Sequence, residues 1–483
     1  MINPFLPNPG ATTMFFRQYN LACLSLFSYM IGDTATGDAV VIDPQRDVSG
    51  YLADAAANGL TIVRVIETHV HADFLSGHRE LAAATGAVVS YGSQAILGFE
   101  FEPLAHGQRL SIGEVMLEIR HTPGHTPESI SIVVFPTAAS VPTAVLTGDT
   151  LFIGDVGRPD LLAAAGVSAQ DLAGALYRSL HEQLLTLPDD TAVYPAHGAG
   201  SACGKHMSSA LSSTIGEQRV TNYALQPMTI EAFTEIVTAG QPAVPPYFAS
   251  AVAANRDGDH DLLDEHSTCP RLDLAAATDA VRSGAVLLDV RDPTSFASAH
   301  LAGSINVGLD GRFAEYAGDV ISVGCPMVLI ADIAQAREAR VRLARIGFDT
   351  VVGAIVDIER TLIDHPDRSA TAQRLTATEV ADWALTDPAV QIVDVRISTE
   401  TAVAGMVPGA VNIPLPQLLA GLSQLDKQRT TIVYCAGGYR SSIAASTMRS
   451  HGFGRVADIV GGYGAWQPQE STRFIDTKSP GQR

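Results

Sequence analysis

One short stretch constrains this chain more than any other: Thr68-His69-Val70-His71-Ala72-Asp73-Phe74. It follows Ile62-Val63-Arg64-Val65-Ile66, an apolar run that reads as a buried strand ending at a loop. Two imidazoles and a carboxylate so close together form a metal-ligand cluster. In an extended segment, residues two apart point to one side, so His69 and His71 are expected to face one ion. The plainer alternative is a polar cap on a turn after a strand. Further ligand types downstream weigh against it.

Those ligands recur at the ends of apolar runs. Residues 115–119 read as a strand leading into His121-Thr122-Pro123-Gly124-His125-Thr126, where Pro and Gly force a turn that aims His125. Ala144-Val145-Leu146 ends in Thr147-Gly148-Asp149, and Ala192-Val193-Tyr194 ends in Pro195-Ala196-His197-Gly198. Loops at strand ends are where a rigid scaffold converges ligands. Upstream, residues 21–31 and 39–42 read as two strands, the second ending at Asp43-Pro44. Residues 54–59 are helical in pattern, and residues 78–84 read as a helix stopped near Gly86.

This order of motifs resembles the metallo-β-lactamase fold superfamily over roughly residues 12–255. The resemblance implies an α/β fold, an αβ/βα sandwich with the metal at one edge. Binuclear zinc hydrolases of that superfamily carry His-x-His-x-Asp-His. Here Phe74 stands at the last position and cannot ligate. A second metal would be left with Asp73, His197 and a shared Asp149, so a single metal is favoured. The branch that looks most similar is persulfide dioxygenase, whose Thr-His-x-His-Ala-Asp and Thr-Pro-Gly-His-Thr motifs match Thr68 to Asp73 and Thr122 to Thr126.

That resemblance implies one Fe(II) held by His69, His125 and Asp149, with open positions for oxygen and a sulfur ligand. Zinc is the alternative, because imidazole and carboxylate suit both metals. His71, Asp73 and His197 are then implied to orient ligands, hold water, move protons or serve as alternative ligands. Gly157-Arg158-Pro159-Asp160 also echoes the family. Arg158 either holds a substrate carboxylate or closes a loop ion pair with Asp155 or Asp160. His78, His106, His121, His181 and His206 read as surface or structural, and Cys203 as buried or close to the site.

The second half of the chain uses one unit twice. Leu287-Leu288-Asp289-Val290-Arg291 matches Ile392-Val393-Asp394-Val395-Arg396, Gly303-Ser304-Ile305-Asn306-Val307 matches Gly409-Ala410-Val411-Asn412-Ile413, and Gly347-Phe348 matches Gly452-Phe453. That spacing suits a small duplicated domain, and its strand and helix patterns argue for a parallel sheet. In the second copy, Thr431-Ile432-Val433-Tyr434 runs into Cys435-Ala436-Gly437-Gly438-Tyr439-Arg440, with a helix expected from Ser441. Loop amides, the helix N-terminus and Arg440 are all expected to stabilise a thiolate or a cysteine persulfide.

This pattern resembles the rhodanese family, and Gly461-Gly462-Tyr463-Gly464-Ala465-Trp466 fits it too. A tyrosine-phosphatase loop would put five residues between Cys and Arg; here there are four. Met406 departs from the His usual at that place. The resemblance implies that Cys435 and Arg440 are catalytic, with Ala436, Gly437, Gly438 and Tyr439 binding substrate. In the first copy, Val328-Leu329-Ile330-Ala331-Asp332-Ile333 has neither Cys nor glycine cradle, and Cys325 lies before the strand. That copy reads as inactive.

The whole chain therefore divides into residues 1–260, 261–365 and 366–483, with residues 250–270 as a polar linker. A formal net charge of -20 argues against nucleic acid as the main partner. Five irregularly spaced cysteines suggest no disulfide framework and a reducing compartment. No signal peptide or membrane span is evident, so a cytoplasmic protein is expected, with a homo-oligomer left open. The implied function is oxidation of a low-molecular-weight persulfide, such as glutathione persulfide, by O2 to sulfite and thiol. It is joined to sulfur transfer through Cys435 from thiosulfate or another sulfane-sulfur species. A binuclear zinc thioester hydrolase of the glyoxalase II type, fused to rhodanese domains, is the alternative. A sulfur carrier with a purely structural metal domain is a third reading.

Overall fold

The computed structural model describes residues 13–161, 166–380 and 389–466. Two compact units divide the chain: Met1–His266 with Leu343–Gly347, and Ser267–Arg342 with Phe348–Arg483.

The first unit stacks two six-stranded sheets. One runs in sequence order through β1 (Met14–Leu21), β2 (Leu26–Asp33), β3 (Asp38–Ile42), β4 (Thr61–Ile66), β5 (Val88–Gly92) and β6 (Glu102–Leu104). The other contains β7 (Arg109–Ile112), β8 (Val115–His121), β9 (Ile130–Phe135), β10 (Ala144–Gly148), β11 (Ala192–Pro195) and β12 (Ser213–Thr214), in the order β12-β11-β10-β9-β8-β7.

Strand periodicity explains the layers. Along β2 and β3, Tyr29, Ile31, Val40 and Ile42 enter a core shared with Ile132, Val134 and Leu146 of the other sheet. The intervening Met30, Ala39 and Val41 face Tyr51 and Ala55 of the helix Ser49–Ala57 and Leu81 of the helix His78–Thr85. On the far side, Val133 and Val145 meet Leu176 of the helix Ala169–Arg178 and Phe233 of the helix Ile230–Thr238. Both sheets are buried on both faces, which is the αβ/βα sandwich. A fully buried Leu or Ile contributes roughly 1.5–3 kcal/mol, so this double core dominates the unit's stability.

The strand expected over residues 21–31 is instead two strands. Leu21 ends β1 and Leu26 begins β2, with Leu21 paired to Leu26 across a tight turn. Residues 250–270 are also not linker throughout. Phe248–Asp257 is a helix, ended by Gly258 in the left-handed region. Its Asn255 is fully buried, donates to the carbonyls of His71 (2.9 Å) and Phe74 (2.7 Å), and accepts from the Ser76 amide (3.0 Å). Composition pointed to solvent; the hydrogen bonds place this polar residue against the irregular loop after β4.

The second unit contains the repeat. Its first parallel sheet has the order β15 (Ile305–Asn306), β13 (Val286–Asp289), β16 (Met327–Ile330), β17 (Val351–Ile355). A short bridge, β14 (His300–Leu301) with β18 (Ser369–Ala370), lies outside it. The other parallel sheet has the order β19 (Gln373–Leu375), β23 (Val456–Ile459), β22 (Thr431–Tyr434), β20 (Gln391–Asp394), β21 (Val411–Asn412).

The match extends to single bonds. Arg291 forks onto Asp289 and Arg396 onto Asp394, each with Nη2 at 2.6 Å. Asn306 donates to the carbonyls of Asp289 and Arg291, and Asn412 to those of Asp394 and Arg396, at 2.9 and 2.8 Å in both copies. No helix among the described residues is long and apolar enough to cross a membrane.

Replacing Asn255 by Ala removes three buried hydrogen bonds and leaves two carbonyls and an amide unpaired. The expected cost is about 2–4 kcal/mol. Thermal or urea unfolding of the variant measures it, and an unchanged midpoint would show that Asn255 does not hold the loop.

Candidate functional site

Strand ends bring the first site together. β4 ends at Ile66, β8 at His121, β10 at Gly148 and β11 at Pro195. The loops that follow carry His69, His125, Asp149 and His197, each at most 1 % exposed. His69, His125 and Asp149 offer ligand atoms within 4.8 Å of one another. His69 Nε2 lies 3.8 Å and His125 Nε2 3.5 Å from Asp149 Oδ2.

The other ring nitrogens set the tautomers. His125 Nδ1 faces the Arg158 carbonyl at 2.9 Å, which can only accept, so Nδ1 carries the proton. Thr68 spends its hydroxyl proton on Asp43 Oδ2 (2.8 Å), so His69 Nδ1, 3.0 Å from Thr68 Oγ1, must donate. Both Nε2 atoms therefore present lone pairs to Asp149 Oδ2, an acid oxygen with no hydrogen-bond partner. Three converging lone pairs in a buried space fit a bound cation, and the donor set of two imidazoles and a carboxylate suits iron or zinc.

Electrostatics agree. Burial holds both His69 and His125 below the ordinary histidine range, favouring the neutral, ligating form. Burial works to raise the Asp149 carboxyl, but the charge and hydrogen bond of His197 outweigh it and keep Asp149 ionised. Burial likewise opposes a charge on His197, yet Asp149 and Asp73 overcome it and raise that imidazole well above its usual range. His197 bridges Asp149 Oδ1 through Nδ1 and Asp73 Oδ2 through Nε2, both at 2.7 Å.

Close approach shapes the rim. A Cβ on Gly157 would lie 1.8 Å from the Asp149 carbonyl oxygen and 3.1 Å from the His125 Cβ. Only glycine fits there. Asp43 adopts a left-handed conformation (φ 50°), uncommon for a residue with a side chain. Bonds from the Thr68 amide (2.7 Å) and hydroxyl offset that strain.

One expectation for this unit needs correction, and one open alternative is decided. His71 does not share an ion with His69. The segment is irregular rather than extended, and His71 Nε2 turns to Asp43 (3.1 Å) and Glu67 (3.5 Å). Of the two readings of Arg158, the structure forms the loop ion pair with Asp160. Arg158 is 2 % exposed, pairs with both oxygens of Asp160 at 2.8 Å, and donates to the carbonyls of Ala202 and Pro242. Phe74 is fully buried, its ring 4.5 Å from that of His71. Cys203 is buried and joins Asp73 and His197 in a second group of potential ligands.

Asp43, Glu67, Thr68 and Asn255 carry much of this arrangement and were not singled out from sequence. Glu67 stands at the end of a buried run, where an acid is costly without a partner; that was the available signal. Burial, then the Asp43 charge, raises its carboxyl well above the usual range. It faces His78 at 3.2 Å, whose imidazole burial pushes down to about 3.

The second site follows β22. Cys435 is 1 % exposed. Gly438, at φ 101°, turns the loop so that its amide donates to Sγ at 3.1 Å, and the helix Tyr439–Ser450 starts directly behind. Ser441 Oγ lies 3.6 Å from the sulfur. Arg440, expected to lend its full charge to the sulfur, forks onto Glu400 at 2.6 and 2.7 Å while its charge still acts on Cys435. The Tyr439 hydroxyl, expected to meet substrate, points to the carbonyls of Gly308 (2.7 Å) and Asp310 (2.8 Å) in the other repeat. In that repeat Ala331 follows β16 where Cys435 follows β22, and Asp332 caps the next turn through the Ala334 and Gln335 amides. All five cysteines are unpaired.

Residues 23–197 match the Metallo-beta-lactamase superfamily and residues 376–469 the Rhodanese-like domain family. The mitochondrial persulfide dioxygenase ETHE1 of Homo sapiens is 32% identical over 235 residues, 47% of this chain and 82% of the relative. A hydroxyacylglutathione hydrolase of Polaromonas sp. is 36% identical over 175 residues, 35% of this chain and 61% of that protein. The crystal structure of a metallo-beta-lactamase from Staphylococcus aureus superposes with a TM-score of 0.64 at 33% identity, covering 71% of this chain and 99% of that one.

Replacing Thr68 by Val removes the acceptor for His69 Nδ1–H while keeping the side chain's shape. Metal affinity is expected to fall about 10–100-fold, measured as metal retained against a competing chelator. Because both ligand imidazoles are held below the ordinary histidine range, retention should stay level as pH drops from about 7.5 to about 6. A loss that begins near the ordinary histidine value would contradict the assigned ring states.

Proposed function

We propose, for a chain that belongs to the persulfide dioxygenase family and carries a rhodanese-like domain behind that part, that the first unit oxidises glutathione persulfide with O2. Sulfite and glutathione are the products, and Cys435 of the second unit carries sulfane sulfur. The observation that carries this reading is the convergence of His69 Nε2, His125 Nε2 and Asp149 Oδ2 on one buried point, with no further ligand from residue 74.

Those three residues would hold a single ferrous ion. When bound, it supplies the one-electron chemistry that dioxygen needs and a Lewis-acidic place for sulfur. The chain's own residues do the rest. Thr68 and the Arg158 carbonyl hold both ligand rings in one tautomer. His197, charged between Asp73 and Asp149, holds a proton on Nδ1, 2.7 Å from Asp149 Oδ1. Burial keeps bulk water from the ligand atoms. The terminal sulfur of the persulfide gains two oxygens from O2 and one from water and leaves as sulfite. The thiol and two protons balance the reaction.

In the second unit, the Gly438 amide and the start of the following helix face the Cys435 sulfur and suit a persulfide anion there. A persulfide common to both units is the reason to join them.

A second reading has its own support. Asp73, His197 and Cys203 form a buried oxygen, nitrogen and sulfur set beside the first, a composition suited to zinc. Two zinc ions and thioester cleavage would make the first unit a hydrolase, like the Polaromonas relative by name.

Aerobic and anaerobic incubation with glutathione persulfide, scored for sulfite, separates the readings when combined with metal analysis of protein made without added zinc. Near one iron per chain and O2-dependent sulfite are expected. Two zincs with thioester turnover and no sulfite would overturn the dioxygenase. Replacing Asp149 by Ala should lower sulfite formation by at least about a hundredfold.

A further inference from the structure

The turns that carry His125 and Asp149 follow β8 and β10. Those strands flank β9 and are each antiparallel to it, so both turns open at one edge of the sheet. Strands two places apart lie roughly 9–10 Å from each other. His125 Nε2 and Asp149 Oδ2 nevertheless stand 3.5 Å apart. The two turns must be drawn together across the start of β9.

A row of hydroxyls spans that gap. Thr150 Oγ1 lies 3.0 Å from Thr122 Oγ1 and 3.2 Å from the Thr122 carbonyl. Thr122 Oγ1 lies 2.9 Å from Ser131 Oγ, at the start of β9. Ser131 Oγ in turn lies 3.5 Å from the Thr147 carbonyl. A carbonyl only accepts, and that fixes the direction of the row: Ser131 donates to Thr147, Thr122 to Ser131, and Thr150 to Thr122. The Thr150 amide donates to the same Thr147 carbonyl at 3.0 Å, which closes the row into a ring. Thr122, Ser131, Thr147 and Thr150 are fully buried. Hydroxyls donating in one direction in a low-dielectric interior polarise and strengthen one another.

Thr150 is where this ring meets the ligands. It directly follows Asp149, and Thr122 opens the Pro123-Gly124 turn into His125. That turn has no slack on its other side. Ser179, at the start of the π-helical turn Ser179–Leu184, donates to the Pro123 carbonyl at 2.7 Å. A Cβ on Gly124 would lie 2.4 Å from Leu176 Cα. The Asp149 turn is also seated against the residue that orients His69, since a Cβ on Gly148 would lie 2.7 Å from Thr68 Oγ1. It is therefore lodged between both histidine turns, with the Thr150 hydroxyl joining it to one of them.

We propose that Thr150 is a positioning residue for the metal centre, its hydroxyl setting the separation of His125 and Asp149. This rests on the reading that His69, His125 and Asp149 hold the ion. Thr150 acts through the two turns and not on the ion itself. Without its hydroxyl the row loses its first donor, and the facing lone pairs of His125 and Asp149 repel with less to resist them.

The test compares the full chain with Thr150→Val, which keeps the shape and removes the hydroxyl, and Thr150→Ser, which keeps the hydroxyl. Cobalt(II) is the probe, because its visible absorption bands report the arrangement of its ligands. Thr150→Val is expected to hold cobalt about tenfold more weakly against a competing chelator and to shift the bands. Thr150→Ser should restore both. Ser131→Ala, one bond further along the row, should move both in the same direction by less. Unfolding of the metal-free chain separates positioning from stability. A lowered midpoint in Thr150→Val, with cobalt affinity and bands unchanged in the folded protein, would make Thr150 merely structural and overturn the proposal. So would a serine variant as impaired as the valine one. If Thr150→Val does not fold, Ser131→Ala decides, and unshifted bands with full retention overturn it. A His125→Ala chain that keeps cobalt with unaltered bands defeats the underlying ligand assignment instead, which tells the two failures apart.

Discussion

His69 Nε2, His125 Nε2 and Asp149 Oδ2 turn lone pairs toward each other in a buried space, with no proton to separate them. Such an arrangement is repulsive in isolation and attractive around a cation. The surroundings hold it open. Asp43 accepts the Thr68 hydroxyl proton, which obliges His69 to donate from its other nitrogen. The Arg158 carbonyl does the same for His125. Asp43 keeps an unusual backbone conformation to reach Thr68. The strand ends set where these loops begin, and the double core keeps the strands in register.

The second unit separates what a fold needs from what a reaction needs. The Asp–x–Arg fork and the asparagine that braces it recur in both repeats with nearly identical bond lengths. Those bonds join strand ends and do not involve the loops after β16 and β22. That loop is where the copies part: Cys435 with glycines in one, Ala331 and a capping Asp332 in the other. The scaffold tolerates either.

Much of this was legible. Short apolar runs marked the strands that lead into the first site, and each ligand type at the end of such a run marked where that site would form. The repeat was visible because its braces use the same residue types at offsets that differ by a single residue. What failed did so for physical reasons. The period-two argument put His69 and His71 on one side, but it holds only for extended backbone, and the loop after Ile66 is irregular. Arg158 and Arg440 were assigned from family motifs, with a loop ion pair left open for Arg158. Each has a carboxylate close by, Asp160 and Glu400, and a bidentate pair claims the fork before any ligand arrives. Asn255 was hidden in a polar stretch, because composition does not distinguish an amide facing water from one facing three backbone groups.

That asparagine has a consequence in time. The loop bearing His69 and Asp73 receives its backbone partners from a helix that begins at Phe248, far along the chain. During synthesis the early strands emerge first, while this loop's carbonyls still lack their partner. Capture of the ion therefore belongs to a late stage of maturation, after the nascent chain has passed residue 255, and shortening the unit before that helix would leave the ligands in place but their support missing.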